Sequence, residues 1–145
     1  MSWFCAFPQI KNDNYLKTVL LYKLIMKEEV KRWIKQSKEE FDTAKINFEA
    51  RKYFSAAFWC QQSIEKGLKA LLIIKTADFP KIHDLTRLAK LNNAPIRILE
   101  LCSKINPAYT ASRYPDSPKE YSKKECEEII DISQEVLQWI KKSLR

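Results

Sequence analysis

Apolar residues recur along this chain at steps of three and four, the repeat of an α-helix with one buried face. Over residues 27–50, Val30, Ile34, Ser37, Phe41, Ala44 and Phe48 fall on one stripe, and Trp33 widens it. The opposite face mixes signs, with Lys31 and Lys35 near Glu28 and Glu39, a pattern suited to water. Residues 53–75 predict a second helix, more apolar and therefore more central. Its band runs through Phe54, Ala57, Phe58, Ile64, Leu68, Leu71 and Leu72. Gly67, the single glycine of the chain, sits inside that band. A helical Gly costs roughly 1 kcal/mol relative to Ala. Close approach of a neighbouring helix is the expected compensation, ahead of a functional kink.

Shorter helices follow. Asp84 is placed to cap a helix over 85–92 that carries Leu85, Leu88 and Leu91 and ends at Asn92 and Asn93. Pro95 suits the first turn of a fourth helix, which runs through Ile98, Leu99 and Cys102 to Lys104 and is stopped by Asn106-Pro107. Residues 106–121, with Pro107, Pro115 and Pro118, read as the long irregular stretch. Ser122-Lys123-Lys124-Glu125 is a capping-box pattern. It opens a last helix with Cys126, Ile129, Ile130, Ser133, Val136, Leu137 and Ile140 on its inner face. No strand pattern and no internal repeat interrupts this plan. The expected fold is all-α, an antiparallel bundle of four to five helices.

Composition narrows the function. The net charge is +8, from 26 basic and 18 acidic residues, yet no block of like charge stands out. That leaves a solvated mixed-sign surface, or a basic groove assembled only in three dimensions or across a dimer. A single glycine excludes a GxGxxG dinucleotide loop and a P-loop. Cys5, Cys60, Cys102 and Cys126 are widely spaced, and His83 is the only histidine, so no zinc site is expected. Tyr15–Met26 is broken by Lys17 and Lys23 and is too short to span a bilayer, and Met1–Pro8 lacks a basic leader. These features predict a cytoplasmic chain with reduced thiols, Cys60 and Cys126 in the core, no metal or cofactor, and no membrane partner.

Three groups of residues offer chemistry. Gln62, Lys66 and Lys69 share a polar strip on the second helix, and Glu65 precedes Lys69 by four. The strip reads either as a solvated edge with one intrahelical ion pair or as two ammonium groups and an amide aimed at phosphate. His83, next to Asp84, reads as a helix-capping or backbone-bonding residue or as a general acid–base group. In the segment from Tyr109 to Asp116, Arg113 offers a planar fork for phosphate, and Tyr109 and Tyr114 offer ring faces for a base. The alternative there is an Arg113–Asp116 pair, with the tyrosines pinning the loop to the bundle.

Read together, these segments resemble the HEPN domain, a family of small helical bundles from prokaryotes and higher eukaryotes. The run from Gln61 to Leu72 is similar to the family's QQ-x-x-EK-x-LKALL pattern. Lys81-Ile82-His83-Asp84-Leu85 and Ser112-Arg113-Tyr114-Pro115-Asp116 follow in the family's order. The likeness covers residues 26–145, the expected bundle. Residues 1–25 are then an N-terminal extension, family-specific or a product of start-codon choice, in which Tyr15–Leu24 forms an extra helix or a lead-in to the first.

The resemblance implies a dimerising bundle proposed to bind nucleotides or nucleic acid. Many relatives are encoded beside a minimal nucleotidyltransferase and act with it, often as a toxin–antitoxin pair. Others are metal-independent ribonucleases, marked by an arginine followed after four to six residues by a histidine. Here Thr76, Ala77 and Asp78 occupy the arginine positions, so the nuclease motif is absent. The expectation is a homodimeric HEPN protein that takes a nucleotide, or an RNA or DNA phosphate, in a basic cleft. The cleft residues would be Gln62, Lys66, Lys69, His83, Arg113, Tyr114 and Asp116, and the partner protein a minimal nucleotidyltransferase. The alternatives are a ribonuclease joining His83 and Arg113 in space, and a structural dimerisation module.

Overall fold

The computed structural model describes residues 13–116 and 120–144, apart from the side chains of Ser112 and Arg113. The chain runs through α1 (Asp13–Glu49), α2 (Tyr53–Thr76), α3 (Leu85–Leu91), α4 (Ile96–Ile105), α5 (Pro107–Arg113) and α6 (Lys123–Ser143). No strand occurs among the described residues, and the expected all-α bundle is the observed one.

The second helix is the axle of the bundle, in contact with each of the other five. From Cys60 to Ile73 only Gln62 and Lys66 escape full burial. Gly67 has the reason its position suggested. A Cβ there would lie 2.9 Å from Ile140 Cδ1 on α6 and 3.4 Å from Ser37 Oγ on α1. One turn earlier, Ser37 Oγ donates to the Ser63 carbonyl and Ser63 Oγ donates to the Ser37 carbonyl, each at 2.7 Å. Two serines and a glycine thus let α1, α2 and α6 approach closely while both of those hydroxyls stay bonded.

The helix ends follow the expected chemistry. Asp84 accepts from the Arg87 backbone N–H at 3.2 Å and caps α3. Ser122 and Glu125 form the reciprocal capping box of α6. Because the chain has no spare glycine, its left-handed turns fall on Arg51, Ala77 and Asn93. Ala77 closes α2 at φ 61°, with its N–H on the Ile73 carbonyl.

Two segments differ from the sequence-based reading. The first helix, described from Asp13, passes through residue 26 without a break, so Tyr15–Leu24 is a lead-in. Among the described residues nothing covers this first stretch: Leu16, Leu20 and Leu24 are each 60% exposed. Residues 106–121 are not irregular throughout, since Pro107 opens the helix α5. A proline at the first helical position loses no hydrogen bond and has its φ already set. Asn106-Pro107 therefore starts a helix as well as ending one. The Cys60, Cys102 and Cys126 thiols are buried. Burial pushes the first two up to about 12 and the third up to about 11, so none is a thiolate nucleophile at neutral pH. Cys5 lies outside the described residues. No described helix is long and apolar enough to cross a membrane.

Candidate functional site

The most polar spot of the interior lies midway along α2. Glu65 is 2% exposed and Lys69 5% exposed, with Lys69 Nζ donating to Glu65 Oε1 at 2.8 Å. Lys69 also sits over the Phe79 ring at 5.3 Å, and Phe79 meets Trp33 edge-on. The same carboxylate oxygen is 3.0 Å from His83 Nδ1. Burial alone would raise the Glu65 carboxyl. The Lys69 ammonium and the His83 ring, with Lys66 nearby, outweigh that and hold it below the usual carboxylate range. An ionised carboxylate only accepts, so the proton between them belongs on Nδ1 of His83. The opposite nitrogen, Nε2, makes no hydrogen bond among the described residues.

Gln61, fully buried, fixes the segment that carries His83: its Nε2 donates to the His83 carbonyl at 3.0 Å. Gln62 donates to Gln61 Oε1 at 2.7 Å, and Lys66 donates to Gln62 Oε1 at 3.3 Å. Lys66 also stands 3.7 Å from Glu40 on α1. A continuous polar line therefore crosses the bundle from Glu40 to His83. The next residue, Asp84, is locked from the other side. Asn106 Oδ1 accepts from the Leu85 backbone N–H, and Asn106 Nδ2 donates to Asp84 Oδ1. Burial pushes the Asp84 carboxyl up, but the Asn106 amide and the Arg87 and Thr86 backbone N–H groups hold it below its usual range.

His83 thus has a buried anchor and an exposed edge, its side chain being 47% exposed. Its ring stacks on Tyr109 of α5, with centroids 4.7 Å apart and planes 20° apart. Both rings line a cleft of about 630 Å³ between the start of α3 and α5, together with Asp84, Asn106 and Thr110. The described residues hold no group of three or more His, Cys, Asp or Glu side chains fit for a metal ion.

Of the residues the sequence singled out, His83 lines this cleft and the others divide. Lys69 is not a solvated edge but one half of a buried ion pair, and Lys66 and Gln62 bond inward along α2. Tyr114 and Asp116 are exposed and do not line the cleft. The Arg113 side chain lies outside the described residues. Sequence reasoning named Glu65 only as the intrahelical partner of Lys69, passed over Gln61 and Asn106 as site residues, and did not rank Tyr109 above Tyr114. One signal was available: Glu65 and Lys69 alternate with Ile64 and Leu68 on a helix with almost no polar face.

Fold and site define a small helical bundle with a histidine-and-tyrosine cleft braced by a buried ion pair. The HEPN domain model matches residues 30–144. The crystal structure of an archaeal HEPN homologue is 30% identical, with a TM-score of 0.69, over 80% of this chain and 98% of that one. A Thermus thermophilus protein of known structure shares the fold at 23% identity and a TM-score of 0.71, over 79% of this chain and 97% of its own. Among curated proteins none matches. The chain belongs to the HEPN family, whose members are nucleotide-binding or ribonuclease-type domains.

Proposed function

We propose that the protein binds a nucleotide, or one base-and-phosphate unit of RNA, in the cleft beside His83 and Tyr109. The observation that carries this reading is the braced stack: a half-exposed imidazole, fixed from beneath by Glu65 and Lys69, lying flat against Tyr109. Stacked flat rings are the surface on which proteins receive a base, and the polar edges of Asn106 and Thr110 stand beside it. Arg113 follows Tyr109 by four residues on α5 and is the proposed phosphate fork. Lys66 and Lys69 support the site from inside and do not supply its charge.

In this reading the protein works in the cytoplasm as a homodimer, as the companion of a minimal nucleotidyltransferase in a toxin–antitoxin-like pair. Family membership is what supports that part.

The test is a titration of labelled ATP and of a short single-stranded RNA at low salt. Saturable binding is expected, weakened about tenfold or more by Tyr109→Ala and by Arg113→Ala and weakened by added salt. Binding that ignores both substitutions would refute the site.

A second reading, a metal-independent ribonuclease, has one observation in its favour. Glu65 sets the His83 tautomer so that Nε2 is left for proton transfer. Cleavage of total RNA that disappears in His83→Ala would establish it, and intact RNA would dismiss it.

A further inference from the structure

A large groove lies away from the His83 cleft, between the first half of α1 and the end of α2, and measures about 1250 Å³. Its floor is apolar: Tyr22, Met26, Val30, Ile34, Ile74 and Leu144. Its rim is cationic. Lys23, Lys27, Lys31, Lys35 and Lys38 run along α1 at helical spacing, and Lys75 stands on α2. Lys31 and Lys35 have exposed partners in Glu28 and Glu39, pairs that contribute little and exchange readily. Lys23, Lys27 and Lys38 make no ion pair among the described residues. Tyr22 and Ile74 are more than half exposed, so the floor is open.

We infer that this groove docks an amphipathic helix with acidic flanks, carried by a partner protein. The dimensions suit a helix: the lysine row spans about 22 Å, or four helical turns, at 1.5 Å per residue. A helix of that length half-sunk in the groove displaces about 900 Å³, within the space present. An apolar stripe would cover the floor while glutamates or aspartates meet the lysines.

Among its described residues, a second copy of this chain offers no such element. Its exposed apolar stretch, before residue 27, carries Lys17 and Lys23 and would set like charges together. Its exposed acidic row, Glu127, Glu128, Asp131 and Glu135 on α6, has no apolar stripe to fill the floor. A bilayer surface is flat and leaves a concave floor uncovered.

The experiment uses the full chain and a fluorescein-labelled 18-residue helical peptide, leucine on one face and glutamate on the flanks. A matching peptide with lysine flanks is the control. The expected result is saturable binding of the glutamate peptide alone, weakened at least tenfold by Lys27→Glu with Lys38→Glu, by Ile74→Ser, and by raising salt from 50 to 300 mM. Equal binding of both peptides, or binding untouched by the lysine reversals, would overturn the inference. Vesicles of anionic lipid that capture the protein when the peptide does not would overturn it in favour of a membrane. A dimer in sedimentation that Ile74→Ser dissociates would overturn it in favour of a second copy.

Discussion

Removing the Lys69 ammonium is the most informative perturbation, because it changes the sign of a pH dependence. Glu65 and Lys69 are almost sealed from water, at 3% and 6% side-chain exposure, and 2.8 Å apart. Deleting one partner of a buried pair leaves an uncompensated charge and costs about 3–5 kcal/mol. For a domain of this size, 1 kcal/mol moves the melting temperature by about 3–4 °C. Lys69→Met should therefore melt about 10–15 °C lower at neutral pH.

The pH dependence follows by linkage. In the native protein the Glu65 carboxyl is held below its ordinary value of 4.5. The unfolded chain then binds the proton more tightly, and the stability is complete above that value. It is lost as pH falls from 4.5 through the lowered value. In Lys69→Met burial outweighs what remains around the Glu65 carboxyl, and the folded variant binds that proton more tightly than the unfolded chain. Its stability should rise as pH falls towards 5. Glu65→Leu combined with Lys69→Met should recover most of the loss, giving a coupling energy of about 2–3 kcal/mol in a double-mutant cycle. Urea denaturation at several pH values measures all of this. A Lys69→Met protein within about 1 kcal/mol of the native one, with an unchanged pH slope, would refute an ionised Glu65 under the cleft.

Three further outcomes are expected. Gly67→Ala gains roughly 1 kcal/mol of helix propensity but meets Ile140 Cδ1 at 2.9 Å. By itself it should be close to neutral, and with Ile140→Val, which deletes that methyl, more stable than Ile140→Val alone by chemical denaturation. Ala77→Gly should stabilise by about 1 kcal/mol, since the left-handed cap of α2 then carries no Cβ strain. Asn106→Ala removes both the acceptor for the Leu85 N–H and the donor to Asp84. It should cost about 1–2 kcal/mol and weaken ligand binding at the cleft even though His83 and Tyr109 are intact.

The helical plan was readable because it depends on neighbours along the chain. Periodicity placed α2, α3, α4 and α6, and the capping box fixed where α6 begins. Gly67 announced a close contact because only crowding explains a glycine among good helix formers. The family was readable too, since its marks are short runs such as Gln61 to Leu72. Pro107 was misread because a proline that ends one helix and one that begins the next look alike in sequence.

The site was another matter. Lys69 looked like an exposed cation because on an isolated helix it would be one. It became a buried partner of Glu65 because α2 is enclosed by five other helices, so a polar strip on it has no water to face. Tyr109 and Tyr114 were equal candidates until α5 formed and brought one of them against His83. Local sequence fixes which backbone hydrogen bonds close, since they join residues four apart. Which charges survive at the surface, and which rings meet, depends on desolvation and contact between segments far apart along the chain, such as His83 and Tyr109 or Trp33 and Phe79. Only the packed fold decides those.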